Sequence, residues 1–324
     1  MTIEADFESL TPEVLLNGVE KALGINLTGL TSPLPSYINR VYELESEDGD
    51  RYIAKFFRPG RWSLKALIDE QNFVQDCFED EIPVIPPVIL TNGKAISEVN
   101  GIYFCVMPKK FGREIEINND DDYRRLGTLL GRIHIAGCKR KAEDRVELHP
   151  LKSTRFDVDY LLKNFIPEDF RNIFSSTCNN IIDISTGLFE KVNSMRIHGD
   201  CHQKNILFRP DEGMMIIDFD DMMTGPAVQD LWLLLPDHAN KARNEINLIL
   251  SGYETFREFD DLELRLIEPL RAMRMIYYLA WCAKQANDYR FKNTFPQWGS
   301  VGFWNNEITD LTNQLHVIKQ HLNI

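Results

Sequence analysis

The hydrophobic pattern of this chain changes its period once, near residues 108–114, and that change limits the fold more than any other feature. Upstream of it, apolar residues alternate with polar ones or run together between turn signals such as "EDGD", "PG" and "NG". The segments concerned are "SYINRVYELES", "RYIAKFFRP" and "VIPPVILTNGKAISEVNGIYFCVMPKK". This pattern predicts an antiparallel sheet of about five strands.

Downstream of the change, the apolar residues follow a helical period. We predict helices over 121–137, 155–165 and 168–192, and through much of 226–320, with one short strand in "MMIIDF". A strand-rich part followed by a helix-rich part predicts the α+β class with two lobes. We place a small β-rich N-lobe at residues 1–108 and a larger, mainly helical C-lobe at residues 109–324.

Two helices are also expected within the strand-rich part. The first covers residues 11–23, because Thr11 is a suitable N-cap, Pro12 suits the first helical position and Gly24 can end the helix. The second lies in "SLKALIDEQNFVQDCFEDEI", whose apolar residues recur mostly on one side of a helix.

Charge and composition bear on the partners of the chain. The 324 residues include 49 acidic and 36 basic side chains, so the net charge is −13. An acidic surface repels nucleic acid and anionic lipid, and we expect neither as a partner. The six cysteines contain no C-x-x-C pair, and no apolar run is long enough to span a membrane. We therefore expect a cytoplasmic protein, with a monomer as the default.

A dense polar stretch, "RIHGDCHQKNILF", carries the first candidate for chemistry. It contains Asp200 and Asn205, and Asp218 follows in "IIDFDD" after the turn "PDEG". A hairpin at this turn would bring Asp218 near Asn205. A carboxylate such as Asp200 can orient an attacking hydroxyl and take its proton, which phosphoryl transfer requires. Amide and carboxylate oxygens such as those of Asn205 and Asp218 are ligands that Mg²⁺ prefers.

The same stretch has two other interpretations. His198, Cys201 and His202 are residue types that bind Zn²⁺, although a fourth ligand at ordinary spacing is missing. Alternatively, the histidines support the loop, His198 by hydrogen bonding and His202 either at the surface or against a substrate.

The order "HGD-x4-N" followed by "IDFD" resembles the catalytic and metal loops of the aminoglycoside phosphotransferase-like kinases, with "DFD" in place of the protein-kinase "DFG". That superfamily shares the bilobal protein-kinase fold. The resemblance implies ATP and Mg²⁺, with Asp200 catalytic and with Asn205 and Asp218 binding the metal. It also implies a nucleotide-binding lysine, Lys55 in "RYIAKFF", and a glutamate that holds it. Glu70 suits that position, with Asp69 and Glu79 as alternatives.

Two further nucleotide contacts follow from the resemblance. The phosphate-covering loop, "LTSPLPSYINRVYEL", has no glycine between Leu30 and Leu44, so Ser36, Tyr37 and Asn39 would cover the phosphates. The segment "YFCVMPKKFGRE" resembles the hinge, where Met107 would contact the adenine, with Val106 and Phe104 nearby as core residues.

The C-terminal part offers residues that support the site. Asp230 in "GPAVQDLW" is expected to fix the backbone of the catalytic loop. Arg271 and Arg274 follow Glu268 on one predicted helix. They either bind an acidic substrate or a phosphate, or form internal salt bridges with Glu268 or the loop aspartates.

Over residues 10–300 the chain is similar to a bacterial protein-kinase branch of the same superfamily. That similarity implies ATP-dependent phosphorylation of serine or threonine in a protein substrate, in a stress response. A small-molecule kinase is the alternative, because Gly225 follows Asp218 by only seven positions and leaves little chain to dock a peptide. A nucleotide-binding module without activity is a third hypothesis, motivated by the loop that lacks glycine.

Overall fold

The computed structural model describes residues 7–36, 38–210, 212–286 and 289–324. The chain divides into two compact units. The first unit comprises the chain up to Glu116 together with Lys139–Arg145 and Gln203–Asp220, and the second comprises the remainder. The units are therefore discontinuous in sequence. In the first unit, residues Ile206–Arg209 after the "HGD" loop pair with Arg113–Glu114, and the Ile216 N–H donates to the Pro83 carbonyl oxygen at 3.0 Å. The division into lobes at residue 108 stays a prediction.

The described residues form strands and helices that we number in chain order. The strands are β1 (Leu27–Leu34), β2 (Arg40–Ser46), β3 (Arg51–Phe56), β4 (Ser97–Val99), β5 (Ile102–Pro108), β6 (Arg113–Glu114), β7 (Met195–Ile197), β8 (Ile206–Arg209), β9 (Gly213–Ile216) and β10 (Met223–Gly225). The α-helices are α1 (Pro12–Leu23), α2 (Leu64–Glu79), α3 (Asp120–Gly137), α4 (Arg155–Asn164), α5 (Glu168–Phe189), α6 (Val228–Trp232), α7 (Arg243–Tyr253), α8 (Ile267–Gln285), α9 (Tyr289–Thr294) and α10 (Val301–Leu322).

The predicted antiparallel sheet of about five strands is confirmed, with the order β1-β2-β3-β5-β4. Two details of the prediction are wrong, because β1 lies outside the predicted segments and residues 84–90, "VIPPVIL", form no strand. Successive residues of a strand point to opposite faces. On β3, Ala54 and Phe56 join the core beneath α1, where Phe56 stacks on Phe104 with ring centroids 5.0 Å apart. Lys55 therefore points to the other face, as does its cross-strand partner Cys105, which packs there with Leu67 of α2.

The two helices predicted within the strand-rich part are confirmed. Thr11 caps α1 by accepting from the Val14 N–H at 3.3 Å, and Gly24 ends it in the left-handed conformation. The hydroxyl of Ser63 caps α2 by accepting from the Ala66 N–H at 3.1 Å. Not every apolar residue of α2 is buried, however, since Ile68 stays exposed. A few apolar side chains at the surface are ordinary for a folded protein.

The second unit is mainly helical, as predicted. Its helices α3 and α7 approach so closely that a Cβ built on Gly127 would lie 1.8 Å from the Ile249 carbonyl oxygen. A Cβ on Gly252 would lie 1.9 Å from the Arg124 carbonyl oxygen. Glycine is therefore required on both helices. Within the described residues, no helix combines the length and apolar character needed to cross a bilayer.

Candidate active site

The hairpin that carries Asn205 and Asp218 has the predicted form. Strands β8 and β9 pair antiparallel, and the Ile217 N–H donates to the Asn205 carbonyl oxygen at 2.9 Å. The backbones on which the two predicted metal ligands stand are thus neighbours at the base of one hairpin. Asp218 has φ +62°, a left-handed conformation that aspartate tolerates better than most residues. Its side chain is 53% exposed.

Lys55 binds the carboxylate that the sequence predicts to hold metal. Its Nζ donates to Asp218 Oδ1 at 2.9 Å and lies 3.3 Å from Asp220 Oδ1. Glu70 Oε1 lies 3.9 Å from the same nitrogen, which is an ion pair rather than a hydrogen bond. The structure therefore brings the predicted lysine and glutamate together, while Asp218 makes the closer contact.

The two alternatives to Glu70 on the same helix have other partners. Asp69 Oδ2 accepts from the Asp144 N–H at 3.0 Å, and Glu79 Oε1 accepts from the Gln75 side chain at 3.0 Å. Glu70 is almost completely buried. Of the three acids considered, Glu70 is the one with an ion pair to Lys55.

Sequence reasoning missed three charged residues of this group. Asp220 is buried, and its Oδ2 lies 2.7 Å from Arg61 Nη1. Arg145 donates to the Asp220 carbonyl oxygen at 2.5 Å and lies 3.8 Å from Glu70 Oε2. The second aspartate of "DFD", Asp220, could have indicated the group, because a charged residue in a mostly apolar stretch of sequence needs a partner of opposite charge when it is buried. We call Lys55, Arg61, Glu70, Arg145, Asp218 and Asp220 the Lys55 cluster.

Burial and charge act in opposite directions on the acids of the Lys55 cluster. Burial raises the pKa of Glu70 to about 7. Lys55 and Arg145 lower this pKa, and the carboxylates of Asp220 and Asp218 raise it. Burial would also raise the pKa of Asp220, but Lys55, Arg61 and Arg145 outweigh it and lower that pKa to about 2. Lys55 keeps its charge, because its acidic neighbours outweigh burial and raise its pKa well above the ordinary value.

The predicted catalytic loop, which contains His198, Gly199 and Asp200, is held through its backbone N–H groups. The His198 and Gly199 N–H groups donate to Asp230 Oδ2 and Oδ1, each at 2.8 Å. Asp230 is completely buried, and His134 Nε2 lies 3.1 Å from its Oδ2. The predicted role of Asp230 in fixing the loop is confirmed. His134 was not predicted from the sequence.

The supporting role predicted for His198 is also confirmed. The Asp200 N–H donates to His198 Nδ1 at 3.3 Å, and His198 is buried. Cys201 is buried as well, and burial raises the pKa of its thiol well above the usual value. Zinc binds the thiolate, so the zinc interpretation of this stretch gains no support from the structure.

The side chain of Asp200 lies between two basic groups. Arg274 Nη2 donates to Asp200 Oδ1 at 2.5 Å, and His202 Nε2 lies 3.5 Å from Oδ2. Arg271 Nε lies 3.5 Å from Glu268 Oε2. Both arginines therefore form internal salt bridges, Arg271 with Glu268 and Arg274 with Asp200.

The other predicted nucleotide contacts are less defined. Ser36 is half-buried in the turn after β1, and Met107 lies on β5 opposite Ile53. Asn39 is buried, and its Oδ1 accepts from the Arg58 N–H at 3.1 Å, so its side chain is already engaged. Tyr37 lies outside the described residues. The roles of Ser36 and Met107 stay predictions.

The fold and these two groups of residues define a class of protein, the kinase-like phosphotransferases. The sequence profile of the "Phosphotransferase enzyme family" matches residues 31–266, which is more than half of the chain. The chain belongs to this family.

Similar proteins agree with this assignment. Stress response kinase A of Escherichia coli (strain K12) is 35% identical over 319 residues, which cover 97% of this chain and 95% of that protein. A Salmonella typhimurium protein called "Serine/threonine protein kinase RdoA" is 34% identical over 318 residues, with the same coverage. The solved structure of amicoumacin kinase hAmiN, in complex with AMP-PNP, Ca²⁺ and Ami, has a TM-score of 0.74 at 20% identity and covers 95% of this chain and 93% of that chain.

The chain is therefore an enzyme, an ATP-dependent phosphotransferase. The solved structure shows the shared fold, and the predicted α+β, kinase-like fold class is confirmed.

Proposed function

We propose that this enzyme transfers the γ-phosphate of ATP to a serine or threonine hydroxyl of a protein, with Mg²⁺, in a bacterial stress response. The names of the two relatives at 35% and 34% identity support the substrate class and the stress role. The single observation that carries the proposal is the Lys55 cluster, in which a buried lysine on β3 contacts Asp218 and Glu70.

The nucleotide would be bound by residues of the first unit. Lys55 would exchange part of its contact with Asp218 for phosphate oxygens, and Glu70 would hold its ammonium group from the α2 side. Ser36 would cover the phosphates through its hydroxyl and backbone N–H. Met107 would offer backbone groups to the adenine at the end of β5.

The donor set of Asn205 and Asp218 fits Mg²⁺. Both side chains offer hard oxygen atoms, and Asp218 is exposed enough to bind a metal while Lys55 occupies only its Oδ1. When bound, Mg²⁺ would neutralise charge on the phosphates. The protein's contribution is to fix the two ligands at the base of the β8–β9 hairpin.

Asp200 would act on the acceptor. Its carboxylate would accept a hydrogen bond from the substrate hydroxyl and take the proton as the new P–O bond forms and the bond to ADP breaks. The hydrogen bonds from His198 and Gly199 to Asp230 hold the loop in place for this role. Such positioning lowers the cost of orienting the reactants.

A small-molecule kinase remains the second candidate, because only seven positions separate Asp218 from Gly225. In the structure this stretch contains a 3₁₀ turn, Phe219–Asp221, and the short strand β10. The extended residues of this stretch, Met223–Gly225, already pair with β7, so they offer a peptide little backbone to pair with. A panel of amino alcohols, homoserine and sugars tests this alternative.

We also propose that the protein acts as a cytoplasmic monomer. Its net charge of −13 disfavours adhesion to anionic membranes, which supports the cytoplasmic location.

The proposal is tested by supplying labelled ATP and Mg²⁺ to wild-type protein and to Asp200→Ala, with bacterial lysate proteins and with the small-molecule panel. We expect wild type to label proteins on serine or threonine and Asp200→Ala to label none. Turnover of a small alcohol at about 1–10³ s⁻¹ without any protein labelling would reject the protein-kinase proposal. Equal labelling by both proteins would reject the role of Asp200.

A further inference from the structure

The carboxylate proposed to orient the acceptor is already bound to a cation. Arg274 Nη2 donates to Asp200 Oδ1 at 2.5 Å, while Oδ2 faces His202 Nε2 at 3.5 Å. A charge-assisted hydrogen bond is shorter and stronger than a neutral one, so Arg274 competes well with a hydroxyl for Oδ1. A substrate hydroxyl must therefore use Oδ2 or draw Arg274 away.

Arg274 differs from Arg271, which precedes it by one turn of α8. Arg271 donates to the Asp237 carbonyl oxygen at 3.1 Å, lies near Glu268 and stands over the Trp232 ring at 4.9 Å. Within the described residues, the only hydrogen bond of Arg274 goes to Asp200, and its side chain is 31% exposed. Its Nε and Nη1 donors are thus available to a second group from outside the chain.

The chemistry of a guanidinium group indicates what that second group is. Its five N–H donors form a planar fork that matches the two oxygens of a carboxylate. Nη2 can stay on Asp200 while the remaining donors bind another anion. Because Arg274 touches Asp200, that anion would lie close to the hydroxyl that Asp200 orients.

The surroundings would reject such an anion without Arg274. Asp200 is one acidic side chain beside Arg274. A second, Asp221, accepts from the hydroxyl of Tyr277 at 3.3 Å, and Tyr277 lies one turn after Arg274 on α8. The chain as a whole carries a net charge of −13. Like charges at close range disfavour binding, so an acidic acceptor needs a local cation.

We propose that Arg274 selects acceptors with a carboxylate beside the hydroxyl, so that the preferred protein substrate has an aspartate or glutamate next to the phosphorylated serine or threonine. This inference rests on the proposed kinase function and adds a substrate class to it. Arg274 binds the flanking carboxylate with its free donors while Nη2 stays on Asp200 Oδ1, and Asp200 Oδ2 accepts from the hydroxyl.

The test compares paired serine peptides that differ only in a flanking aspartate or asparagine, scanned over the positions around the serine. Wild type, Arg274→Gln, Arg274→Lys and Arg271→Gln are assayed with each pair, and thermal unfolding is measured for every variant. Arg271→Gln is the matched control, since it removes an arginine from the same helix that does not contact Asp200.

We expect wild type and Arg271→Gln to prefer aspartate at one or more positions by on the order of tenfold in kcat/KM, the size of one charge-assisted hydrogen bond. Arg274→Gln should show no preference, and Arg274→Lys should keep part of it because the charge remains without the fork.

Equal kcat/KM for aspartate and asparagine peptides in wild type would overturn the inference while leaving the kinase function intact. A preference that persists in Arg274→Gln would also overturn it. If wild type phosphorylates no peptide at all, the kinase proposal fails and the inference fails with it. If Arg274→Gln does not fold, the inference is still tested by the aspartate preference of wild type and by its reduction in Arg274→Lys.

Discussion

The Lys55 cluster and the Asp200 loop hold their charged groups by different means. Lys55 is buried and has three acidic neighbours, and Asp220 is buried with contacts to both Lys55 and Arg61. Asp200 is partly exposed, and it is the backbone of its loop that is fixed, by a buried Asp230. One region fixes side chains, and the other fixes backbone and leaves the side chain accessible.

This difference indicates what each region does. Removing one member of a buried, charge-balanced group leaves a charge without its partner in a medium that solvates it poorly, so the Lys55 cluster resists rearrangement. A partly exposed ion pair is worth little and exchanges readily. The Asp200–Arg274 pair can therefore open for a substrate. In the Lys55 cluster, the exposed Asp218 can give up part of its contact with Lys55 to ATP, while the buried members keep their positions.

The largest effect is expected at Asp200. Asp200→Asn keeps the shape of the side chain but removes the group that takes the proton, so kcat should fall by about 10²–10⁴-fold. Stability should change little, because Asp200 is partly exposed and its partner Arg274 can reach water. Steady-state kinetics and thermal unfolding check the two halves of this prediction. A kcat close to that of wild type would show that Asp200 is not the base.

The next largest effect is expected in the Lys55 cluster. Asp220→Ala removes a buried carboxylate from Lys55 and Arg61, and should lower the free energy of unfolding by about 3–5 kcal/mol in urea denaturation. Arg125→Ala is the control, since Arg125 and Asp121 form an ion pair whose side chains are 60% and 58% exposed. Its effect should stay below about 1 kcal/mol. Similar losses of unfolding free energy in the two variants would contradict the expectation that buried ion pairs contribute more to stability than exposed ones.

Much of this arrangement was predictable from the sequence, because period and spacing are local properties. The change of hydrophobic period indicated the five-stranded sheet and the helical remainder, and the capping residues placed α1 almost to the residue. The turn after Arg209 indicated the hairpin below Asp218.

The missed residue Arg145 and the partner of Arg274, which the sequence left open, both depend on contacts between distant parts of the chain. Arg145 reaches Asp220 across 75 positions, and Arg274 reaches Asp200 across 74 positions. Spacing along one helix showed that Arg271 and Arg274 are near each other, but both a salt bridge and a substrate contact were consistent with it. Pairing at such separations is decided by tertiary packing, which single-sequence patterns do not contain.

A smaller effect is expected at the glycine that precedes Asp200. Gly199 has φ +82°, and a Cβ there would lie 2.3 Å from the Asp221 carbonyl oxygen. Gly199→Ala should therefore combine left-handed strain of about 1–2 kcal/mol with an overpacking cost of about 1–3 kcal/mol. It should also lower kcat, because the loop that carries Asp200 must shift.

Gly213→Ala is the matched control for this change. Gly213 has φ +80°, but no described atom lies within 4 Å of a Cβ built on it. It should show the strain alone and keep kcat unchanged. Equal unfolding free energies for the two variants, with equal kcat, would mean that the loop before Asp200 is not held tightly.

The smallest effect is a pH dependence within the Lys55 cluster. Burial raises the pKa of Glu70 from its ordinary 4.5 to about 7, so the folded state favours the protonated carboxyl more than the unfolded state does. The stability that Glu70 contributes is therefore complete below pH 4.5 and is lost as the pH rises through about 7. Glu70→Gln cannot titrate, so the unfolding free energy of wild type relative to this variant should fall across that interval.

Urea denaturation of both proteins on either side of the interval measures this difference. Asp220 does not interfere, because its pKa of about 2 places its own titration at lower pH. A difference that stays constant with pH would mean that Lys55 stabilises ionised Glu70 as strongly as it does Asp218. The 3.9 Å separation from Lys55 Nζ, against 2.9 Å for Asp218, is the reason to expect the opposite. If the difference falls with pH as expected, Glu70 keeps Lys55 in place mainly as a neutral or weakly paired neighbour, and Asp218 and Asp220 supply the negative charge.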